Sequence, residues 1–170
     1  MSLDSEVELI RRLPLFANID LATLKLLCFS SERLTFEVGQ VMFNLGDSAD
    51  AVYILIDGYV AITRPTPTGP VVVGTLGPKE IVGEIAIFAD VPRTATITAT
   101  SRVDALRIAK DQLMSIIRAN PDAALELIRQ LALRLAKTTA RLTEVLATSG
   151  PDPKATPAPV GGARAGGPVK

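Results

Sequence analysis

The sequence predicts a mainly β domain with flanking helices: an antiparallel barrel or sandwich entered through a helical segment and followed by a long C-terminal helix. Three observations carry this. Between residues 33 and 109, short alternating apolar runs are separated by Gly- and Pro-bearing turns at near-regular spacing, the signature of many short antiparallel strands. Residues 3–30 precede them with helical apolar spacing. Residues 110–147 return to that spacing, with Pro121 where a helix starts.

In chain order, Val7 to Leu13 reads as one helix halted by Pro14. Asp20 stands as an N-cap for a second helix from Leu21 to about Phe29. Ile19 and Leu24 hold the spacing of a hydrophobic staple around it. Leu34-Phe36-Val38 and Val41-Phe43-Leu45 then alternate as half-buried strands do. Val52 to Ile56 and Tyr59 to Ile62 flank Asp57-Gly58, a strong two-residue hairpin signal. Thr66-Pro67-Thr68-Gly69-Pro70 marks a second turn before Val71-Val72-Val73, and Gly77-Pro78 a third. Thr94 to Ala99 and Val103 to Ile108 read as a further strand pair.

Lys110 to Ala119 forms a short amphipathic helix with Leu113, Ile116 and Ile117 inward. Asn120 is placed to cap the next helix, which can run to Ala147. Along it Ile128, Leu131, Leu135, Thr138, Leu142 and Val145 follow a 3-4 alternation, while Leu127 and Leu133 lie off that seam and are expected to pack on the strands. The seam fits a helix that covers its own domain or one that also pairs with its twin, and a homodimer through this helix is the expectation. Two and a half heptads alone make a weak zipper, so the strand domain must contribute.

Residues 1–148 thus form one domain, and 170 residues with 48% hydrophobic composition suffice for a real core. Residues 149–170, rich in Pro, Gly and Ala, bury too little surface to offset the entropy of ordering and are expected to be a disordered tail. Without Lys154, Arg164, Lys170 and Asp152 of that tail, the body holds 15 basic and 17 acidic residues, which argues against nucleic-acid binding. The single cysteine, Cys28, forms no internal disulfide, and its apolar neighbours make it a small core residue. The absence of histidine excludes Ser-His-Asp catalysis and His-ligated metal or haem, so neither an enzyme nor a metal or cofactor is expected. No signal peptide opens the chain and no apolar run approaches ~20 residues, so a cytoplasmic protein off the membrane is expected.

The segment from Val82 to Thr96, Val-Gly-Glu-Ile-Ala-Ile-Phe-Ala-Asp-Val-Pro-Arg-Thr-Ala-Thr, carries the chemistry. Gly83 lets a ligand or another backbone approach closely. Glu84 to Phe88 can form one helical turn, whose first N–H groups favour an anion. Arg93 adds a planar fork of donors suited to phosphate oxygens. Glu84, when ionised, only accepts hydrogen bonds, so it suits a ribose hydroxyl and repels phosphate. A ribose bearing an anionic phosphate satisfies all of these groups.

The same string resembles the phosphate-binding cassette of cyclic nucleotide-binding domains, whose usual form is Gly-Glu-[Leu/Ile]-Ala, a gap, then Pro-Arg-x-Ala. The resemblance covers roughly residues 7 to 146. It implies a β jelly roll, with Gly39, Gly46 and Gly58 where that fold places glycines. It implies ligand contacts from Val82, Gly83, Glu84, Ile85, Ala86, Pro92, Arg93, Thr94 and Ala95, with Glu84 on the ribose 2′-OH and Arg93 on the cyclic phosphate. Thr94, in a position where a hydroxyl can reach a guanine amino group, leaves cAMP and cGMP both open. By likeness to the catabolite activator family, Arg134, Leu135, Thr138 and Thr139 of the last helix are candidates to close over the base. That family continues into a DNA-binding domain where this chain has its Pro/Gly/Ala tail, so DNA binding is not carried over. The expectation is a stand-alone receptor, foremost for cAMP, that signals by moving its C-terminal helix to an unidentified effector protein. The alternative is a ligand-free interaction module on the same fold.

Overall fold

The computed structural model describes residues 2–150. The tail expected at 149–170 therefore lies, from 151 onward, outside the described residues. The chain divides into two units, one reaching Leu133 and one beginning at Arg134.

In the first unit, α1 (Leu3–Arg11) starts at Ser2, whose Oγ accepts from the Ser5 amide, earlier than the apolar spacing implied. A 3-10 turn at Pro14–Phe16 leads to α2 (Leu21–Ser30). Asp20 caps α2 as expected: Oδ1 accepts from the Thr23 amide at 3.0 Å, and Ile19 and Leu24 are both buried. Eight strands follow: β1 (Glu32–Phe36), β2 (Val41–Phe43), β3 (Ala51–Asp57), β4 (Val60–Thr66), β5 (Gly69–Leu76), β6 (Ile81–Val82), β7 (Thr96–Ala99) and β8 (Val103–Ala109). The six-residue α3 (Glu84–Ala89) interrupts them, and α4 (Lys110–Ala119) and α5 (Pro121–Thr148) close the order.

The strands pair antiparallel in two four-stranded sheets, β1-β8-β3-β6 and β2-β7-β4-β5. This is the double-sheet jelly roll, the arrangement expected, and it is two facing sheets rather than a closed barrel. Two local readings are corrected. The Asp57-Gly58 turn does not join a hairpin, because β3 pairs with β8 and β6 while β4 pairs with β5 and β7. Nor do β7 and β8 pair with each other; they lie in different sheets. Both tight connections carry the chain from one sheet to the other. They meet: the Tyr59 amide donates to Ser101 Oγ at 2.9 Å and the Thr100 amide to the Tyr59 carbonyl at 2.9 Å. Gly58, at φ 87°, sits so close to the Arg102 carbonyl that a Cβ there would overlap it. The Pro67-Thr68 turn does close a hairpin, with Thr66 opposite Gly69.

Alternation explains the core. Val52 and Ile54 of β3, with Leu106 and Ile108 of β8, face the helices. Tyr53 and Leu55, with Val103 and Ala105, face the second sheet. Because both faces are covered, Ala51 to Leu55 is buried throughout and reads as an unbroken apolar run. Cys28 is in the helix-facing cluster, where burial pushes its thiol up to about 11.

α4 runs as predicted, burying Leu113 and Ile116. The Asn120 side chain, however, closes α4 by donating to the Ile116 carbonyl at 2.8 Å instead of capping α5. Within α5, Ala123 and Leu127 are buried and Leu131 is partly so. Leu133 is 58% exposed, against expectation. The 123-127-131 row faces inward, and Leu133 lies some 240° around the helix from Leu127. In the second unit Leu135, Leu142, Val145 and Leu146 are exposed. No described helix is long and apolar enough to cross a membrane.

One cross-strand network yields a pH prediction. Thr35 Oγ1 donates to Asp104 at 2.8 Å and Arg33 Nη2 at 3.1 Å, and these hold the Asp104 carboxyl below its ordinary range, Thr35 foremost. A folded pKa below the unfolded one stabilises above the unfolded value, and the contribution is lost as pH falls through the folded value. Asp104→Asn should therefore cost ~0.2–1 kcal/mol at neutral pH and flatten the acid limb of stability, read by urea melts from pH 7 to pH 3.

Candidate functional site

β6 pairs with β3 in the register Tyr53–Val82 and Ile54–Ile81. This short ladder delivers the chain to Gly83, which turns left-handed at φ 88° and starts α3. The conformation is open to glycine and strained for other residues. α3 buries Glu84, Ala86 and Ile87 and exposes Ile85 and Phe88. It stops at Asp90, itself left-handed at φ 53°. The chain returns through the exposed Pro92 to Arg93. There the backbone is tied on both sides: the Arg93 amide donates to the Asp47 carbonyl at 2.9 Å, and the Gly46 amide to the Arg93 carbonyl at 2.8 Å.

Glu84 and Arg93 are the buried charged residues of the described chain, 1% and 2% exposed. Arg93 Nη1 donates to the Gly83 carbonyl at 3.0 Å, and Nη2 to the Ala51 carbonyl at 2.6 Å. Cζ lies 4.1 Å from the centroid of the Phe43 ring, a cation–π contact. Asp50 Oδ1 is 3.9 Å from Nη2, and the same carboxylate takes Arg107 Nη2 at 2.6 Å. Burial pulls the Arg93 pKa below the usual guanidinium value, opposed by Tyr53, Asp50 and Asp47. The group nonetheless stays charged. Nε is buried and makes no hydrogen bond among the described residues.

Of the sequence-predicted residues, Val82, Gly83, Glu84, Ile85, Ala86, Pro92, Arg93, Thr94 and Ala95 form one continuous feature, β6 through α3 to the start of β7. Arg93 folds back onto Gly83 within it. Arg134, Leu135, Thr138 and Thr139 lie on the part of α5 that belongs to the second unit. Leu135, Thr138 and Thr139 are exposed there, and Thr138 Oγ1 donates to the Arg134 carbonyl at 2.9 Å.

Sequence reasoning missed Phe43, Asp50, the Ala51 carbonyl and Arg107. Phe43 carried a signal, an inward position on an alternating strand, but that signal reads equally as core. Asp50 and Arg107 carried none, because only the β3–β8 pairing brings Arg107 beside β3.

Chemically the arrangement offers recognition groups. A buried guanidinium with an unused Nε–H can take an anionic oxygen, and a buried carboxylate close along the chain can take a hydroxyl. No group of three or more metal-ligating side chains occurs among the described residues.

The family model of the cyclic nucleotide-binding domain matches residues 33–120. The chain is 32% identical over 145 residues to a CRP-like cAMP-activated global transcriptional regulator of Mycobacterium tuberculosis, covering 85% of this chain and 65% of that protein. It is 33% identical over 98 residues to a cAMP-dependent protein kinase regulatory subunit of Dictyostelium discoideum, covering 55% of this chain and 28% of that one. Among solved structures, the N-terminal domain of a transcriptional regulator from Streptomyces coelicolor superposes with TM-score 0.58 at 34% identity, covering 79% of this chain and 94% of that domain. The chain thus spans less than two thirds of these two curated relatives.

Proposed function

This chain belongs to the cyclic nucleotide-binding domain family, and from that premise we propose that it is a cytoplasmic receptor for a cyclic purine mononucleotide, cAMP foremost. The domain is a regulatory, sensing fold, and the reading includes no catalytic step. One observation carries the proposal: Arg93 is buried and charged, its outer nitrogens are held by the Gly83 and Ala51 carbonyls, and its Nε–H has no acceptor among the described residues. A donor buried in that state is costly unless something accepts from it. A cyclic phosphate against Arg93, with the ribose hydroxyl on Glu84 and backbone contacts from Val82 to Ala86 and from Pro92 to Ala95, meets that need.

The preference for cAMP is supported by the two relatives whose names carry it, and Thr94 keeps cGMP as the competitor to be measured. In the proposal the signal leaves through α5. The exposed Leu135, Leu142 and Val145 pair with a twin helix in a homodimer. Nucleotide then shifts a two-state equilibrium by as much as it prefers one state. The output goes to an effector protein rather than to nucleic acid, consistent with the net charge of the body.

Titration calorimetry with cAMP and with cGMP tests this directly. One nucleotide per chain at micromolar affinity, about 8 kcal/mol, is expected, with cAMP the tighter. No heat and no thermal shift with either at millimolar concentration would assign the chain to the ligand-free interaction modules instead.

A further inference from the structure

The guanidinium of Arg93 is planar, and Phe43 covers one of its faces. We propose that Phe43 is a positioning residue of the anion site, fixing the plane in which Arg93 meets a phosphate oxygen; the proposal rests on the nucleotide reading above. With the ring centroid 4.1 Å from Cζ, no ligand oxygen can reach that face. The Gly83 and Ala51 carbonyls pin Nη1 and Nη2 in the plane of the group. What remains for a ligand are in-plane donors, Nε–H and the second N–H of each outer nitrogen.

The ring can act as a stop because it is itself wedged. Phe43 is 9% exposed and stacks on Tyr53 at 5.9 Å with 30° between planes. Tyr53 meets Phe36 edge-on at 6.4 Å and 76°. Tyr53 also lies opposite Arg107 across the β3–β8 ladder. Arg107 binds Asp50, and Asp50 reaches back to Arg93. Arg93 thus stacks on Phe43 and Phe43 on Tyr53, while Arg107, the strand neighbour of Tyr53, binds the Asp50 that faces Arg93. Tilting the Phe43 ring therefore disturbs several partners at once. Leucine at position 43 would fill much of the space but present no negative π-face, leaving the guanidinium to be ordered when ligand binds.

Phe43→Leu is expected to weaken cAMP binding on the order of 3- to 30-fold by calorimetry, the range of a cation–π contact. In an Arg93→Ala background the same change should have no further effect. In ligand-free protein, the Arg93 Nε–H resonance should be shifted upfield by the ring and lose that shift in Phe43→Leu. Phe43→Met serves as a second variant should leucine not fold. Equal losses with and without Arg93, or an Nε–H resonance indifferent to the ring, would overturn the proposal. Wild type that takes no cyclic nucleotide would defeat the functional reading instead, and the Nε–H signal would still decide whether Phe43 holds Arg93.

Discussion

Arg93→Ala is expected to weaken cyclic nucleotide binding by at least ten-fold, and by up to about a hundred-fold. A hydrogen bond to a charged group contributes ~1.5–3 kcal/mol, and 1.4 kcal/mol is a factor of about ten. Arg93 stands near the top of that range because it is 2% exposed and already oriented by two carbonyls and a ring. Little further ordering is needed when phosphate arrives. Arg93→Lys keeps the charge but loses the fork and the stacking, so its affinity should fall between wild type and alanine. Stability should move less than affinity. Alanine removes the desolvation of a buried cation but leaves the Gly83 and Ala51 carbonyls without their donor, and these effects oppose each other. Calorimetry beside thermal denaturation separates the two. Unchanged affinity in the alanine variant would remove Arg93 from the site.

The second large effect is expected from Gly83→Ala. An L-residue at φ 88° costs about 1–2 kcal/mol in backbone strain, roughly 2–8 °C in melting temperature for a domain of this size. The new Cβ would also overlap Arg93 Nη1. Either the arginine leaves its carbonyls or the turn into α3 shifts, and both misplace the donor. Gly39→Ala is the control, since Gly39 has nearly the same φ, 86°, and a methyl group added there would meet nothing within 4 Å. The Gly39 variant should lose stability alone, while the Gly83 variant loses more and binds nucleotide several-fold more weakly. Equal affinity in the two variants would mean that the contact between Gly83 and Arg93 has no part in binding.

Much of the site was legible because its residues follow one another. Gly83, Glu84 and Arg93 lie within eleven positions, and each carries local chemistry: a left-handed turn, an acceptor, a fork of donors. The Asp20 cap, the Pro121 helix start and the Pro67-Thr68 hairpin were legible for the same reason. The hairpin inferred at Asp57-Gly58 failed for a physical reason. The turn is there, but a strand buried on both faces takes its neighbours from wherever the register suits. For β3 these are β8 and β6, not the strand that follows it. Leu133 misled by type, being apolar on a helix yet placed on its outward side.

Element positions, the turns and the Gly-Glu…Pro-Arg string were determined by the sequence alone, because helical and strand periods, Gly and Pro act over a few residues. Which strands share a sheet was decided only by tertiary structure, as was the meeting of Phe43, Asp50, Ala51 and Arg107 around Arg93. The Arg93 side chain and the Ala51 carbonyl stand 42 positions apart, and covering both faces of β3 at once brings them together.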